Sequence, residues 1–251
     1  MRYIKTDGLV LKTIEVGEAD KILTVFTRKL GKIQILSKGS RRPRNKFLAC
    51  SQLFCYSEFY LYKSTDMYVL SNAEVNNSFV GIGKDLERLS SATIVADLIL
   101  KVMENETVNL SLLRLALNTI YLISTQTDSP VKYLVVFLIR FLKIAGLNPV
   151  LDKCVKCGEK QLSTTSMKFS TNLGGIICKN CLESVPDAQN ISYDEYRAMV
   201  FVIYSIDKNI FNFKMNTNVQ CEVLMLLKNF YSHHYDFNFT SFEFLCNMPI
   251  Q

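Results

Sequence analysis

From Thr6 to about Glu74 the apolar residues come in short runs rich in Val, Ile, Phe, Tyr and Thr, broken by glycines and charged clusters. β-Branched and aromatic residues between turn-formers are strand chemistry. The pattern predicts five strands, at about 5–14, 21–28, 32–38, 51–62 and 67–75. The two-residue period of the fourth puts Tyr56, Glu58, Tyr60 and Tyr62 on one face, with Phe59 and Leu61 on the other. Five strands in some 75 residues, with no helical period, fit a small closed barrel of the oligonucleotide/oligosaccharide-binding (OB) type. A small open sandwich is the alternative.

Helical spacing then takes over. Leu86, Leu89, Thr93, Ala96, Ile99, Leu100 and Met103 form one apolar stripe, and Leu112, Leu113, Leu115, Ala116, Thr119, Ile120 and Ile123 another. A third helix is predicted to open with Ser129 as N-cap and Pro130 at its first position, where no amide donor is needed. It runs to Ala145 and stops at Gly146, with Phe137, Phe141 and Ile144 along one side. Ser192 and Glu195 make a capping-box pattern ahead of the apolar run 198–204, and a further helix is expected at about 218–232. From Ser232 to Gln251 no period is clear and no element is predicted. The expected architecture is α+β: a barrel over 1–80, helices over 81–149, a four-cysteine module over 150–185 and helices again over 186–251.

Composition changes this picture little. Hydrophobic residues make up 49 % and charged residues 21 %, enough apolar material for a core that needs no disulfides. Met1-Arg2-Tyr3-Ile4-Lys5 lacks the apolar run of a signal peptide, and no stretch reaches the ~18 apolar residues of a membrane span. The chain therefore reads as cytoplasmic, where thiols stay reduced. Four of its cysteines, Cys50, Cys55, Cys221 and Cys246, are scattered among apolar residues and are expected to act as small hydrophobes.

The other four are Cys154-x-x-Cys157 and Cys178-x-x-Cys181, separated by twenty residues, the spacing of a zinc site built from two hairpin knuckles. Each knuckle brings two thiolates to one side, and the loop between lets them close a tetrahedron. Gly158, Gly174 and Gly175 supply turns, while Lys153, Lys156 and Lys179 favour thiolates. Four protein ligands leave no open position, so one structural Zn2+ per chain is expected. An iron–sulfur cluster and a redox dithiol are the alternatives, the latter needing only one pair.

Charge separates the chain more sharply than composition does. Residues 1–80 hold 13 lysines and arginines against 7 acids, whereas the remainder has 16 of each. The basic excess peaks in Lys38-Gly39-Ser40-Arg41-Arg42-Pro43-Arg44-Asn45-Lys46, five cations on a turn-forming backbone after a strand. Such a loop beside an OB-like face can follow a phosphate backbone without regard for sequence, making Lys38, Arg41, Arg42, Arg44 and Lys46 candidate DNA-binding residues. Lys12, Lys21, Arg28, Lys29 and Lys32 extend the possible footprint. Tyr56, Tyr60 and Tyr62 are either base-stacking platforms or ordinary sheet residues.

Catalytic constellations are missing. There is no P-loop, dinucleotide fingerprint, HExxH or nucleophile elbow, and the only histidines, His233 and His234, are sequence neighbours that point apart. Gly17-Glu18-Ala19-Asp20 reads as a turn between the first two strands. A zinc-dependent nucleic-acid-modifying enzyme would need an open metal position and a base, and Asp152 and Glu159 are the nearest carboxylates. An RNA-binding transcription or translation factor built from the same parts is another reading.

In order along the chain, Gly8-Leu9-Val10-Leu11, Gly17-Glu18-Ala19-Asp20, Phe26-Thr27 with Gly31-Lys32, and Lys38-Gly39-Ser40-Arg41-Arg42-Pro43 resemble the N-terminal signature of the RecO family of bacterial DNA repair proteins. The resemblance continues through Gly146-Leu147-Asn148-Pro149 to the cysteine segment, with Gly174-Gly175 before Cys178. It rests on motifs over roughly 1–185 and on length and helical character beyond. It implies an OB fold, a helical domain, a zinc module and no covalent chemistry. It further implies binding of single- and double-stranded DNA, annealing of complementary strands, and action with RecR to help RecA replace single-strand-binding protein in recombinational repair. By position, phosphate contacts fall on Lys38, Arg41, Arg42, Arg44 and Lys46. The family often has Ala where Ser40 stands, a small-for-small difference. The C-terminal third matches least, so no partner contacts carry over there.

Overall fold

The computed structural model describes residues 3–65, 67–160, 167–206, 209–235 and 240–247. Two compact units divide the chain, Met1–Thr125 and Gln126–Gln251. Among the described residues no helix is long and apolar enough to cross a membrane.

In the first unit, strands β1 (Tyr3–Val16), β2 (Asp20–Thr27), β3 (Gly31–Ser37), β4 (Tyr56–Lys63) and β5 (Tyr68–Asn77) close a barrel in the order β1-β2-β3-β5-β4, the OB arrangement. The long β1 pairs with β4 through its first half and β2 through its second, changing partner around Gly8. A Cβ at Gly8 would lie 2.5 Å from Val25 Cγ1, so only glycine lets the strand cross there. β3 and β5 close the barrel in parallel through Ile35–Tyr68 and Leu36–Val69. Alternation does the rest: on β4, Ser57, Phe59 and Leu61 are buried, while Tyr56, Glu58, Tyr60 and Tyr62 face outward.

The predicted fourth strand began too early. Residues 51–55 form a turn in which Phe54 takes a φ of 64°, and only from Tyr56 does the chain enter the sheet. Phe47, Cys50 and Cys55 from this connection join the barrel core with Val25, Ile35 and Phe59.

Helices α1 (Leu86–Val102) and α2 (Leu110–Thr125) complete the unit. α2 buries the seven residues of its predicted stripe. α1 does not: Leu86 and Leu89 are exposed, and Ile94, Val95 and Leu98 are buried in their place. The helix carries apolar residues on nearly every side between 89 and 100, so its period alone could not choose the buried face.

The second unit is organised on α3 (Pro130–Ile144), buried from Pro130 to Leu142 on all sides rather than along one stripe. Ser129 caps it as predicted, accepting from the Val131 amide, and Gly146 follows its end at a φ of 76°. A three-stranded antiparallel sheet of β6 (Lys168–Ser170), β7 (Gly175–Ile177) and β8 (Ala188–Asn190) follows in the order β7-β6-β8. Then come α4 (Tyr193–Tyr204), with both capping-box bonds of Ser192 and Glu195 in place, α5 (Thr217–His234) and α6 (Thr240–Cys246). α3 packs against α4 and α5. Its buried Arg140 and its exposed Lys143 both donate to the Ile203 carbonyl at the end of α4, and Tyr231 of α5 donates to Leu138 O at 2.7 Å. The tail for which no element was predicted thus carries the end of α5 and α6, while 236–239 and 248–251 lie outside the described residues, as do Met1 and Arg2.

Candidate metal centre and nucleic-acid interface

The Sγ atoms of Cys154, Cys157, Cys178 and Cys181 all lie within 4.8 Å of one another, with Cys157 and Cys178 at 3.6 Å. A tetrahedral zinc with ~2.3 Å bonds places its sulfurs ~3.8 Å apart, so the four sulfurs stand close to the spacing such an ion requires. The local sequence explains the convergence. After α3, Cys154 opens a knuckle closed by Gly158, whose amide donates to Cys154 O at 2.9 Å with a φ of 80°. The second knuckle begins where β7 ends; Cys181 N–H donates to Cys178 O at 3.0 Å in a short 3-10 helix, Lys179–Ser184. Val155 N–H to Ile176 O at 2.9 Å fastens the first knuckle to β7. Gly175 makes that possible, because a Cβ there would meet Val150 O at 2.6 Å. Lys156 Nζ reaches Ser184 O at 3.2 Å across the two knuckles.

Electrostatics favours a cation at this point. Burial opposes the Cys154 thiolate, yet the amides of Cys178, Cys157 and Lys156 outweigh it and bring the group down to about 6. Burial and the neighbouring Cys157 and Cys178 push Cys181 up to about 12. One thiolate is welcomed and further ones are resisted, a conflict that a divalent ion removes. Cys154 and Cys178 are buried, Cys157 is exposed, and the Tyr196 hydroxyl of α4 donates to Leu151 O beside the cluster at 3.2 Å. Of the other four cysteines, Cys50 and Cys55 are buried, whereas Cys221 and Cys246 are half-buried.

The basic loop 38–46 follows β3, and the β1–β2 turn holds it. The Asp20 carboxylate accepts from Gly39 N–H at 2.7 Å, and Arg41 N–H donates to Ala19 O at 2.9 Å. The Arg41 guanidinium donates to Gly17 O and Glu18 O and pairs with Glu15 at 3.0 Å. Arg41 therefore anchors the loop, a role its place in a charge run did not reveal. Lys46 turns toward β5, with Ser71 O and Asn72 Oδ1 each at 3.4 Å. Lys38, Arg42 and Arg44 are exposed, and none of the described residues pairs with their side chains.

The wider footprint divides. Lys12 and Lys29 are exposed, and Arg28 lies 3.9 Å from Asp7. Lys32 is withdrawn from the surface: it is 8 % exposed and donates to Leu100 O at the end of α1. On the β4 face, Lys5 pairs with Glu58 at 2.8 Å and Tyr60 donates to the same carboxylate, so part of that face is internally neutralised. His233 and His234 sit in the last turn of α5, where the His234 ring bonds Thr171 O and packs on Phe230.

Known proteins resolve what the geometry leaves general. Residues 1–79 match the family described as Recombination protein O N terminal, and residues 83–242 match Recombination protein O C terminal. The chain belongs to the RecO family. Among its relatives, the DNA repair protein RecO of Acetivibrio thermocellus is 37 % identical over 246 residues, covering 98 % of this chain and 97 % of the relative. That of Alkaliphilus metalliredigens is 32 % identical, covering 96 % and 97 %. Both RecO matches therefore span barrel, helices and cysteine module together, and membership carries a general role in DNA repair.

Proposed function

We propose that this RecO-family chain is a non-enzymatic mediator of recombinational DNA repair. The barrel unit binds single- and double-stranded DNA by neutralising phosphates, and two complementary strands held on one protein repel each other less and anneal. With RecR, the chain helps RecA load onto DNA coated by single-strand-binding protein. It works in the cytoplasm, at the nucleoid when DNA is bound. The observation that carries this reading is the loop 38–46. Its backbone is fixed by Asp20 and Arg41, while Lys38, Arg42 and Arg44 present charge with no partner among the described residues. A rigid loop holding unpaired cations loses little entropy when phosphates arrive and releases counterions instead. Lys46 extends the track toward β5.

Zinc is the ion that four cysteine thiolates in a tetrahedron suit best. Bound by Cys154, Cys157, Cys178 and Cys181, it would supply a crosslink between the two knuckles and no reactive position. Annealing then needs no nucleotide.

The test is annealing of complementary oligonucleotides, bare and coated with single-strand-binding protein, without ATP. Acceleration in both conditions is expected. No acceleration, or an absolute need for ATP, would refute the reading.

A further inference from the structure

We propose that the edge of β8 and the groove between it and α5 bind an extended segment of a partner protein, one that presents a hydrophobic side chain and a lysine or arginine two residues apart. The site lies in the second unit and does not depend on the DNA reading above.

The two outer strands of the small sheet differ in how their edges are treated. On β7 the chain covers its own edge: Val150 pairs with Gly175 and its carbonyl accepts from Ile176 N–H at 2.9 Å. On β8, β6 is the only strand partner among the described residues. The ladder decides which backbone groups are left over. Ile191 N–H donates to Met167 O at 3.1 Å and Gln189 pairs with Phe169, so these two residues turn their backbone toward β6. The residues between and before them turn theirs outward. Ala188 N–H donates to Val185 O at 3.1 Å. Asn190 is exposed, and neither its N–H nor its C=O has a partner among the described residues. An edge of this kind is a template for one more strand.

The groove beyond that edge has a volume of about 550 Å³, with α5 as one wall. Phe169 packs on Phe230 of α5 with ring centroids 6.0 Å apart, so the Phe169 face of the sheet is the one that meets the helix. Gln189 and Ile191 belong to that face and line the groove, as do Met225 and Leu226 of α5. Met225 is 51 % exposed. A strand added antiparallel to β8 exchanges two backbone bonds with Asn190, and its residues on either side of that pair point toward α5. One of them covers Met225 and Leu226.

Charge selects the other. Glu195 and Glu222 line the groove, and among the described residues no lysine, arginine or histidine does. Glu195 is already tied into the cap of α4, where it accepts from Ser192 N–H at 2.6 Å. Glu222 is exposed and is the carboxylate that a partner's cation meets. The same two carboxylates repel a phosphate backbone or an acidic peptide, which sets this surface apart from the basic loop.

The probe is a dye-labelled peptide, Thr-Lys-Thr-Leu-Thr-Lys-Thr, titrated into the full-length protein. Binding is followed by anisotropy, and amide hydrogen exchange is read at Asn190. Saturable binding is expected, with slower exchange at Asn190. N-methylation of the two threonines that flank the leucine removes the strand's donors and should weaken binding about tenfold. Glutamates in place of the peptide lysines, or Glu222→Lys in the protein, should each weaken it about fivefold. No binding up to about 1 mM, binding indifferent to N-methylation, or unchanged exchange at Asn190 would overturn the proposal. So would a dimer of the protein, seen by sedimentation, that Met225→Ser dissociates, because the occupant of the groove would then be a second copy of this chain.

Discussion

The basic loop and the cysteine cluster are both concentrations of like charge, and the two regions manage it in opposite ways. The loop turns Lys38, Arg42 and Arg44 outward and uses neutral or acidic partners, Ala19 O and Asp20, only to fix its backbone. The cluster turns four sulfurs inward to within 4.8 Å, two of them buried, where more than one thiolate is opposed. Charge left exposed and unpaired is available to a polyanion. Charge gathered and enclosed demands a counterion of its own and offers nothing to solvent. The difference separates the part suited to contact DNA from the part suited to hold the second unit together, although the cysteines are the more conspicuous motif.

The largest expected effect breaks the comparison on the cysteine side. Cys154→Ser removes a buried ligand and should take the metal content from one zinc per chain to none. Stability should fall by about 4 kcal/mol or more, the scale of losing a structural metal. Elemental analysis and a melting curve check this; one zinc per chain in the variant would refute the ligand assignment. The salt slope of DNA binding should stay at its parent value, since the charges that set it lie in the other unit.

A smaller effect sharpens the loop side. Asp20→Ala deletes the carboxylate that accepts from Gly39 N–H, a charged hydrogen bond worth about 1.5–3 kcal/mol locally. Amides 39–41 should exchange with solvent faster, while exchange in β4 and α2 stays unchanged. Unchanged exchange at Gly39 would mean that the hairpin does not hold the loop.

Much of this was legible in the sequence, for reasons that also mark its limits. The barrel strands, the α2 face, the Ser129 and Ser192 caps and the cysteine spacing are local patterns, each complete within a few turns of chain. What escaped notice depends on distant segments meeting. Arg41 belongs to a run of cations, yet its partners lie on the turn 17–19 and at Glu15. Lys32 reads as a surface lysine until α1 ends above it. The turn at 51–55 is rich in strand-formers, but the backbone of Val10 pairs with Phe54 and Cys55 and shapes it otherwise. The three-residue strands β6–β8 are too short to show any period.

The central claim, that exposed and unpaired cations on a braced loop drive DNA binding, is tested most directly by the salt dependence of single-stranded DNA affinity. The parent is compared with the double variant Arg42→Glu, Arg44→Glu. Two lost phosphate contacts should lower the slope of log affinity against log salt by at least about 1.4 and weaken binding at low salt, with the melting temperature unchanged. An unaltered slope in a folded variant would contradict the account.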